Sequence, residues 1–329
     1  MRAWLMDSYD GVEHLRQGEV PDPQPGPGEV LLGLRFAALN PADAFLAQGL
    51  YPAKPAVPHI LGRDGVGEVI AVGPGVKGVQ AGDIRGILRC DAGITRWGTL
   101  ADKAVIEEAS LAPVPEGWTI EGMAAAPLTF LTAWQALTQW SEPEAPPPAG
   151  SVVLITGASG GVGVATVLLA KSMGLKIVAL SRSEEKRAKL RKLGAEIVFD
   201  PAEPDLKKKL KAAAPGMADL VVDNVAGPLF NDILGLMAYR GRISVVGRSV
   251  GPVPDFNTAM LFFKRLRIGG VYVGDYKPEQ AQVAWREIIA RLAAIDGKPV
   301  IDSIFPFEDV KAAFRRLAEG PMGKVLIRV

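Results

Sequence analysis

Apolar positions in the first 120 residues come in short runs, rich in β-branched side chains and cut by glycine and proline, as in Glu29–Phe36 and Gly65–Gly73. Runs of that kind predict strands, and Pro25-Gly26-Pro27-Gly28 and Gly73-Pro74-Gly75-Val76-Lys77-Gly78 supply turns. This part of the chain therefore reads as a mostly β domain. From Ala124 to Gln139 the period lengthens to that of a helix, and the proline-rich segment 142–148 predicts an exposed connector. Beyond it, strand-like runs alternate with helical ones: strands near 151–156, 176–181, 196–199, 218–223, 242–247 and 268–273, and helices over 161–173, 183–193, 205–213 and 228–237. Such alternation implies a parallel sheet with helices on both faces. The tail changes again, to a helix near 278–295, a strand near 302–305, a helix near 307–318 and a last strand, Lys324–Val329. A lone strand at the end of a chain needs a partner sheet, which is expected in the N-terminal β domain.

Composition narrows the function classes. A length of 329 residues suits two domains, and 48% hydrophobic with 22% charged residues excludes disordered and collagen-like chains. Lys plus Arg number 37 against 36 for Asp plus Glu, with no basic stripe, so no nucleic-acid partner is expected. Cys90 is the only cysteine and His14 and His59 the only histidines, too few for a disulfide or a Cys-rich zinc site. The chemistry is therefore expected from a bound organic cofactor. Two uncharged stretches, Gly122–Trp140 and Ser151–Ala170, are long enough to raise the question of a membrane span; Pro127 and several polar side chains in the first, and the glycine turn in the second, argue for buried core elements instead. Met1–Asp7 meets an acid before a signal-peptide core accumulates, so a cytoplasmic location and no membrane partner are expected.

The strongest chemical signal is Val152-Val153-Leu154-Ile155-Thr156-Gly157-Ala158-Ser159-Gly160-Gly161-Val162-Gly163, a buried strand, a glycine turn and the start of a helix. Glycine lets the backbone approach a pyrophosphate, and a helix N-terminus offers unpaired N–H groups and the positive end of its dipole. Ser159, Gly160, Gly161 and Val162 are the expected phosphate contacts. The second strand ends in Ser181-Arg182-Ser183, without the acid that grips a ribose 2′-hydroxyl; Ser181, Arg182 and Lys186 suit a 2′-phosphate, which favours NADPH. Two later strands end at Asn224-Val225 and Gly247-Arg248, where ligands bind in such sheets, making these four further cofactor candidates. Asn224 and Gly227 equally suit a turn into the next helix.

The whole chain resembles the zinc-free quinone oxidoreductase (zeta-crystallin-like) and enoyl reductase branch of the medium-chain dehydrogenase/reductase superfamily. The resemblance rests on Asn40-Pro41-Ala42-Asp43, Gly49-Leu50-Tyr51-Pro52, Ile60-Leu61-Gly62-Arg63-Asp64-Gly65-Val66-Gly67-Glu68-Val69, Pro127–Trp134, the Ala158–Gly163 turn and Gly323-Lys324-Val325. It implies an α/β fold in which a Rossmann doubly wound parallel sheet domain, residues 125–271, is inserted into a GroES-like mostly-β catalytic domain made of 1–124 and 272–329. Zinc-dependent members carry Cys, His and Cys where this chain has Asn40, Arg63 and a residue near Leu128, so the resemblance implies no metal. It also implies a homodimer joined along cofactor-sheet edges, here through Arg267–Val273.

The implied reaction is hydride transfer from NADPH to a small electron-poor acceptor, a quinone or a C=C bond conjugated to a carbonyl. By resemblance Tyr51 delivers or orients a proton, Asn40 lies near the substrate and Thr132 near the nicotinamide; Tyr272 is a further cofactor candidate. Local readings stand beside each: a turn tyrosine beside Pro52, a helix cap in Asn-Pro-Ala-Asp, a hydroxyl bonded to the preceding helical turn, and an ordinary aromatic wall. Arg63 suits an ion pair with Asp64 or another acid, or an acidic or thioester-linked substrate. Two alternatives stay open: an enoyl-thioester reductase using Tyr51, and a non-catalytic NADPH-binding module.

Overall fold

The computed structural model describes residues 1–215, 217–256 and 258–329. In chain order the elements are β1 (Arg2–Met6), β2 (Arg16–Glu19), β3 (Glu29–Ala38), α1 (Pro41–Ala47), β4 (His59–Ile60), β5 (Asp64–Val72), β6 (Ile84–Ile87), β7 (Lys103–Glu107), β8 (Leu111–Pro113), α2 (Ile120–Ala125) and α3 (Pro127–Thr138). There follow β9 (Val152–Ile155), α4 (Gly161–Ser172), β10 (Lys176–Leu180), α5 (Glu184–Leu193), β11 (Ile197–Phe199), α6 (Leu206–Ala213), β12 (Ala218–Asp223), α7 (Leu229–Leu236), β13 (Met237–Val245), α8 (Ala259–Lys264) and β14 (Arg267–Gly270). The chain closes with α9 (Pro278–Ala293), β15 (Ile301–Pro306), α10 (Val310–Ala318) and β16 (Lys324–Arg328). Two compact units result: Met1–Leu128 with Gly274–Arg286 and Lys298–Val329, and Thr129–Val273 with Glu287–Gly297.

In the first unit β3 is the long central strand of a seven-stranded sheet ordered β15-β16-β3-β5-β6-β8, with β7 also pairing β3. The C-terminal β16 runs antiparallel to β3, Leu326 opposite Ala38 and Arg328 opposite Phe36, so the end of the chain joins the sheet that its beginning builds. A smaller sheet, β2-β1-β4, packs Trp4, Leu5, Met6 and Ile60 with Leu39, Phe307, Phe314 and Ile327 into one apolar core. Burial of such side chains, at about 25 cal/mol per Å² of apolar surface, is what draws the tail back.

The second unit is a six-stranded parallel sheet, β11-β10-β9-β12-β13-β14. The strand order reverses between β9 and β12, which opens a crevice at the strands' carboxyl ends. Four elements differ from the pattern-based expectation. The helix expected over 124–139 is two helices, broken at Ala126-Pro127, where proline has no N–H to donate to the preceding turn. The fifth strand begins at Met237 rather than 242, with a register shift against β12. Helix α8 has no counterpart in the hydrophobic pattern, and the last strand ends at Gly270 instead of 273. No helix among the described residues is long and apolar enough to cross a membrane.

His59 of β4 is buried, and its Nε2 has no hydrogen-bond partner. Burial pushes its pKa below that of a histidine in water, opposed by the Gly93 backbone. The native ring stays neutral where the unfolded chain binds a proton, so acid favours unfolding. Stability is expected to fall as the pH drops below about 6.5, by at most about 1.4 kcal/mol per pH unit for this one proton. Urea midpoints from pH 7.5 to 5 check this: the wild-type slope should exceed that of His59→Leu, and equal slopes would assign the acid sensitivity elsewhere.

Candidate active site

In the first unit, Asn40 ends β3's extension and precedes Pro41 at the start of α1. Its backbone N–H donates to Asp43 Oδ2 at 2.8 Å, the capping arrangement that Asn-Pro-Ala-Asp suggests. Its side chain is engaged on both sides: Nδ2 donates to Asp64 Oδ2 at 2.9 Å, and Oδ1 accepts from Lys324 Nζ at 2.7 Å. Lys324 donates twice more, to Leu39 O at 3.0 Å and Asp64 Oδ2 at 2.9 Å, so all three ammonium protons are used. The other oxygen of Asp64 accepts the Leu128 N–H at 3.2 Å. Asp64, Asn40 and Lys324 are all buried.

Beside this group lies a second buried pair. Arg63 Nε faces Asp43 Oδ1 at 3.5 Å; the partner of Arg63 is thus Asp43, not the adjacent Asp64. Burial pushes the Asp43 carboxyl up, and the Arg63 charge and the Asn40 N–H act against it. On its other side Arg63 Nη1 donates to the Tyr51 hydroxyl at 3.1 Å, with the guanidinium 4.4 Å from the centre of the phenol ring. Tyr51 lies in irregular backbone after α1 and is half-buried against the core. Cys90 is half-buried, its thiol pushed up to about 12 by burial, which leaves it protonated and unreactive at neutral pH.

The second unit gathers most of the cofactor candidates at the carboxyl ends of β9, β10, β12 and β13. Gly157 turns the chain with φ +55°, and a Cβ on Gly163 would meet the Ala158 backbone at 2.6 Å, so helix and strand can pack only around glycine. Gly160 caps α4 without a side chain, leaving the first N–H groups, at Gly161, Val162 and Gly163, without intrahelical acceptors. Ser181 Oγ donates to Ser159 Oγ at 3.2 Å, tying the second strand to the turn. Asn224 donates from Nδ2 to Thr156 O at 2.8 Å, while its Oδ1 is buried with no hydrogen-bond partner among the described residues. Val225 O accepts the Val250 N–H, and Gly247 N–H donates to Asp223 O, so β12 and β13 end side by side. Arg182 and Arg248 are exposed, and Lys186 and Thr132 half-exposed on α5 and α3. Tyr272 is 53% exposed, and its carbonyl accepts from Gln135. An unpartnered N–H row, a glycine cradle and an orphaned amide oxygen fit a dinucleotide.

Three residues that matter here carry no role in the sequence pattern, Lys324, Arg187 and Asp200, and Asp64 enters it only as a partner offered to Arg63. A lone cation opening the apolar run Val325-Leu326-Ile327 was the available signal for Lys324. Arg187 donates to Ser181 O at 2.7 Å and to Asp200 Oδ2 at 2.9 Å and fixes the turn that carries Arg182. The Ala202 N–H and then Arg187 hold the Asp200 carboxyl below its usual range. Among the described residues, no group of three or more His, Cys, Asp or Glu side chains is arranged to hold a metal.

Known proteins share this architecture. Residues 26–116 match the alcohol dehydrogenase GroES-like domain family and 161–293 the zinc-binding dehydrogenase family. The chain is 31% identical to quinone oxidoreductase of Rattus norvegicus over 331 residues, covering 99% of this chain and 97% of that one. It belongs to the quinone oxidoreductase branch of the medium-chain dehydrogenase/reductase family. This family member also superposes on the solved quinone oxidoreductase of Thermus thermophilus, studied alone and with NADPH, with 30% identity, TM-score 0.81 and 100% of both chains covered. A solved NAD-dependent alcohol dehydrogenase matches with 33% identity, TM-score 0.91 and 100% of both chains. The fold is thus a GroES-like domain with a Rossmann-like sheet, and the protein is an oxidoreductase.

Removing the buried ammonium leaves Asp64 uncompensated. Lys324→Met is expected to lose about 3–5 kcal/mol, against about 0–1 kcal/mol for Arg35→Ala, which opens the exposed Arg35–Glu68 pair on the same sheet. Urea unfolding read by tryptophan fluorescence compares the two; equal losses would remove Lys324 from its central place.

Proposed function

We propose that this protein uses NADPH to reduce a small electron-poor acceptor, a quinone or an α,β-unsaturated carbonyl compound, without a metal ion. The carrying observation is Lys324, whose ammonium is held by Asn40, Asp64 and the Leu39 carbonyl. Two carboxylates, Asp43 and Asp64, are already matched by two cations, Arg63 and Lys324, and a divalent ion added there would meet their repulsion. Without a Lewis acid, an acceptor that takes hydride readily is favoured over an alcohol donor. Residues 125–271 are read as the cofactor domain, inserted into a catalytic domain of 1–124 and 272–329.

The dinucleotide's phosphates are assigned to Ser159, Gly160, Gly161 and Val162, and its 2′-phosphate to Ser181, Arg182 and Lys186, on the turn braced by Arg187. The relative from Thermus thermophilus, solved in complex with NADPH, supports NADPH as the cofactor. Asn224 Oδ1 supplies an acceptor, and Val225, Gly247, Arg248, Thr132 and Tyr272 complete the surroundings. When bound, NADPH supplies the hydride. Asn40, fully engaged by Asp64 and Lys324, acts by holding them. Tyr51 presents a phenol to the substrate, and its bond from Arg63 favours the enoyl-thioester alternative alongside the quinone one.

A homodimer along β14 is proposed as well, since this edge strand carries the exposed Ile268, and Phe262 and Phe263 of the same unit are exposed. A cytoplasmic location completes the reading.

Following NADPH absorbance with naphthoquinone and crotonyl-CoA tests the reaction: saturable oxidation with either is expected, and none with both would overturn it. In Arg182→Ala the ratio of KM for NADPH to KM for NADH is expected to rise about tenfold or more, the loss of one charge-assisted bond. An unchanged ratio would move the 2′-phosphate elsewhere. Light scattering should give a dimer for the wild type and a smaller mass for Ile268→Asp; a wild-type monomer refutes the edge pairing.

A further inference from the structure

Arg63 is costly where it stands. It is 8% exposed, and its Nε and Nη2 are buried without a hydrogen-bond acceptor. Its ion pair with Asp43 spans 3.5 Å and leaves Asp43 Oδ1 without a hydrogen bond. A methionine of similar length would fill this volume without burying a charge, so packing alone does not explain a guanidinium here. Among the described residues, the one hydrogen bond its side chain makes is to the Tyr51 hydroxyl, and the one ring it covers is that of Tyr51.

The direction of that bond matters. A guanidinium has no lone pair to offer, so the phenol oxygen must accept and its own proton must point elsewhere. The same cation lies against the ring face, restricting rotation of a side chain whose backbone belongs to no helix or strand. Asp43 holds the guanidinium from behind and is itself held by the Asn40 N–H. A chain of support thus runs from the start of α1 through Asp43 and Arg63 to the phenol.

We propose that Arg63 is the positioning residue that makes Tyr51 a proton donor, fitting the site to α,β-unsaturated carbonyl acceptors. This rests on the reductase reading above. With NADPH as the two-electron donor, leaving as NADP+, hydride bonds to the β-carbon, the π pair of the C=C bond moves to give an enolate, and the α-carbon takes the proton as the Tyr51 O–H bond breaks. Water then returns a proton to the phenolate. A quinone makes less use of the device, because the oxygen anion left by hydride transfer takes its proton directly from water.

The test combines Arg63→Met, Arg63→Lys and Tyr51→Phe, singly and with Arg63→Met and Tyr51→Phe joined. Expected is a fall of about tenfold or more in the ratio of crotonyl-CoA to naphthoquinone turnover in Arg63→Met, carried by kcat rather than KM, with a larger solvent isotope effect. Arg63→Lys, which keeps the charge but loses the fork, should lie between and covers the case in which Arg63→Met does not fold. The double variant should be no slower with crotonyl-CoA than Tyr51→Phe alone. In protein labelled with [13Cζ]tyrosine, the signal absent from Tyr51→Phe should move in Arg63→Met. Additive losses, an unchanged ratio, an unmoved signal or wild-type turnover of the quinone alone would each overturn the proposal. Wild-type inactivity with both acceptors would instead sink the reductase reading, and the labelled spectrum would still decide whether Arg63 holds Tyr51.

Discussion

The buried carboxylate of Asp64 is the point on which the first unit turns. One oxygen accepts from Asn40 and Lys324, the other from the Leu128 N–H, so three segments up to 284 residues apart meet on one side chain. A buried carboxylate tolerates no vacancy among its partners, because an unpaired charge in the interior costs several kcal/mol. That requirement constrains the chain at several places. Strand β16 must return beside β3, α1 must begin where Asn40 can reach both partners, and the chain must leave α2 with the Leu128 amide turned inward.

The neighbouring Asp43–Arg63 pair obeys the opposite logic. Lys324 spends all three protons on acceptors at 2.7–3.0 Å, whereas Arg63 leaves two nitrogens unpartnered and meets Asp43 only at 3.5 Å. A fully bonded cation is accounted for by stability; an underbonded one at the same depth is not. The two pairs balance in charge. One closes the sheet and the other faces a phenol, which is how a single buried cluster serves both fold and chemistry.

Much of the second unit was legible in the sequence because its determinants are local. The alternation of runs marks the parallel sheet, and Gly157–Gly163 sits within one strand–turn–helix in which Gly160 and Gly163 answer to Gly157 and Ala158, a few residues away. What escaped was decided at a distance or by weak patterns. Helix α8 is six residues long and has no buried member, so it leaves no periodic trace. Strand β13 extends back to Met237 through Tyr239 and Arg240, which carry no strand-like alternation. In the first unit the Asn-Pro-Ala-Asp cap could be read, but nothing near Asn40 announces Lys324, 284 residues away. Arg63 could be seen to need an acid; adjacency suggested Asp64, but Asn40, Lys324 and the Leu128 N–H take that carboxylate, and Asp43 is the partner of Arg63.

Unsatisfied polar atoms separate the parts of this chain that finish themselves from those that do not. Ser110 Oγ and His59 Nε2 are orphaned singly, where one missing bond costs about 1–3 kcal/mol and the surrounding core absorbs it. Asn224 Oδ1 differs, since it stands at the strand ends beside a helix start that also lacks acceptors for its N–H groups. Arg63 differs in the same way, since its unpartnered nitrogens belong to the group that holds Tyr51. A coincidence of unmet donors and acceptors with glycine-shaped space, or with a polarised hydroxyl, is hard to explain by folding. At Asn224 it is explained by a molecule that the chain is built to receive, and at Arg63 by the phenol that the guanidinium holds.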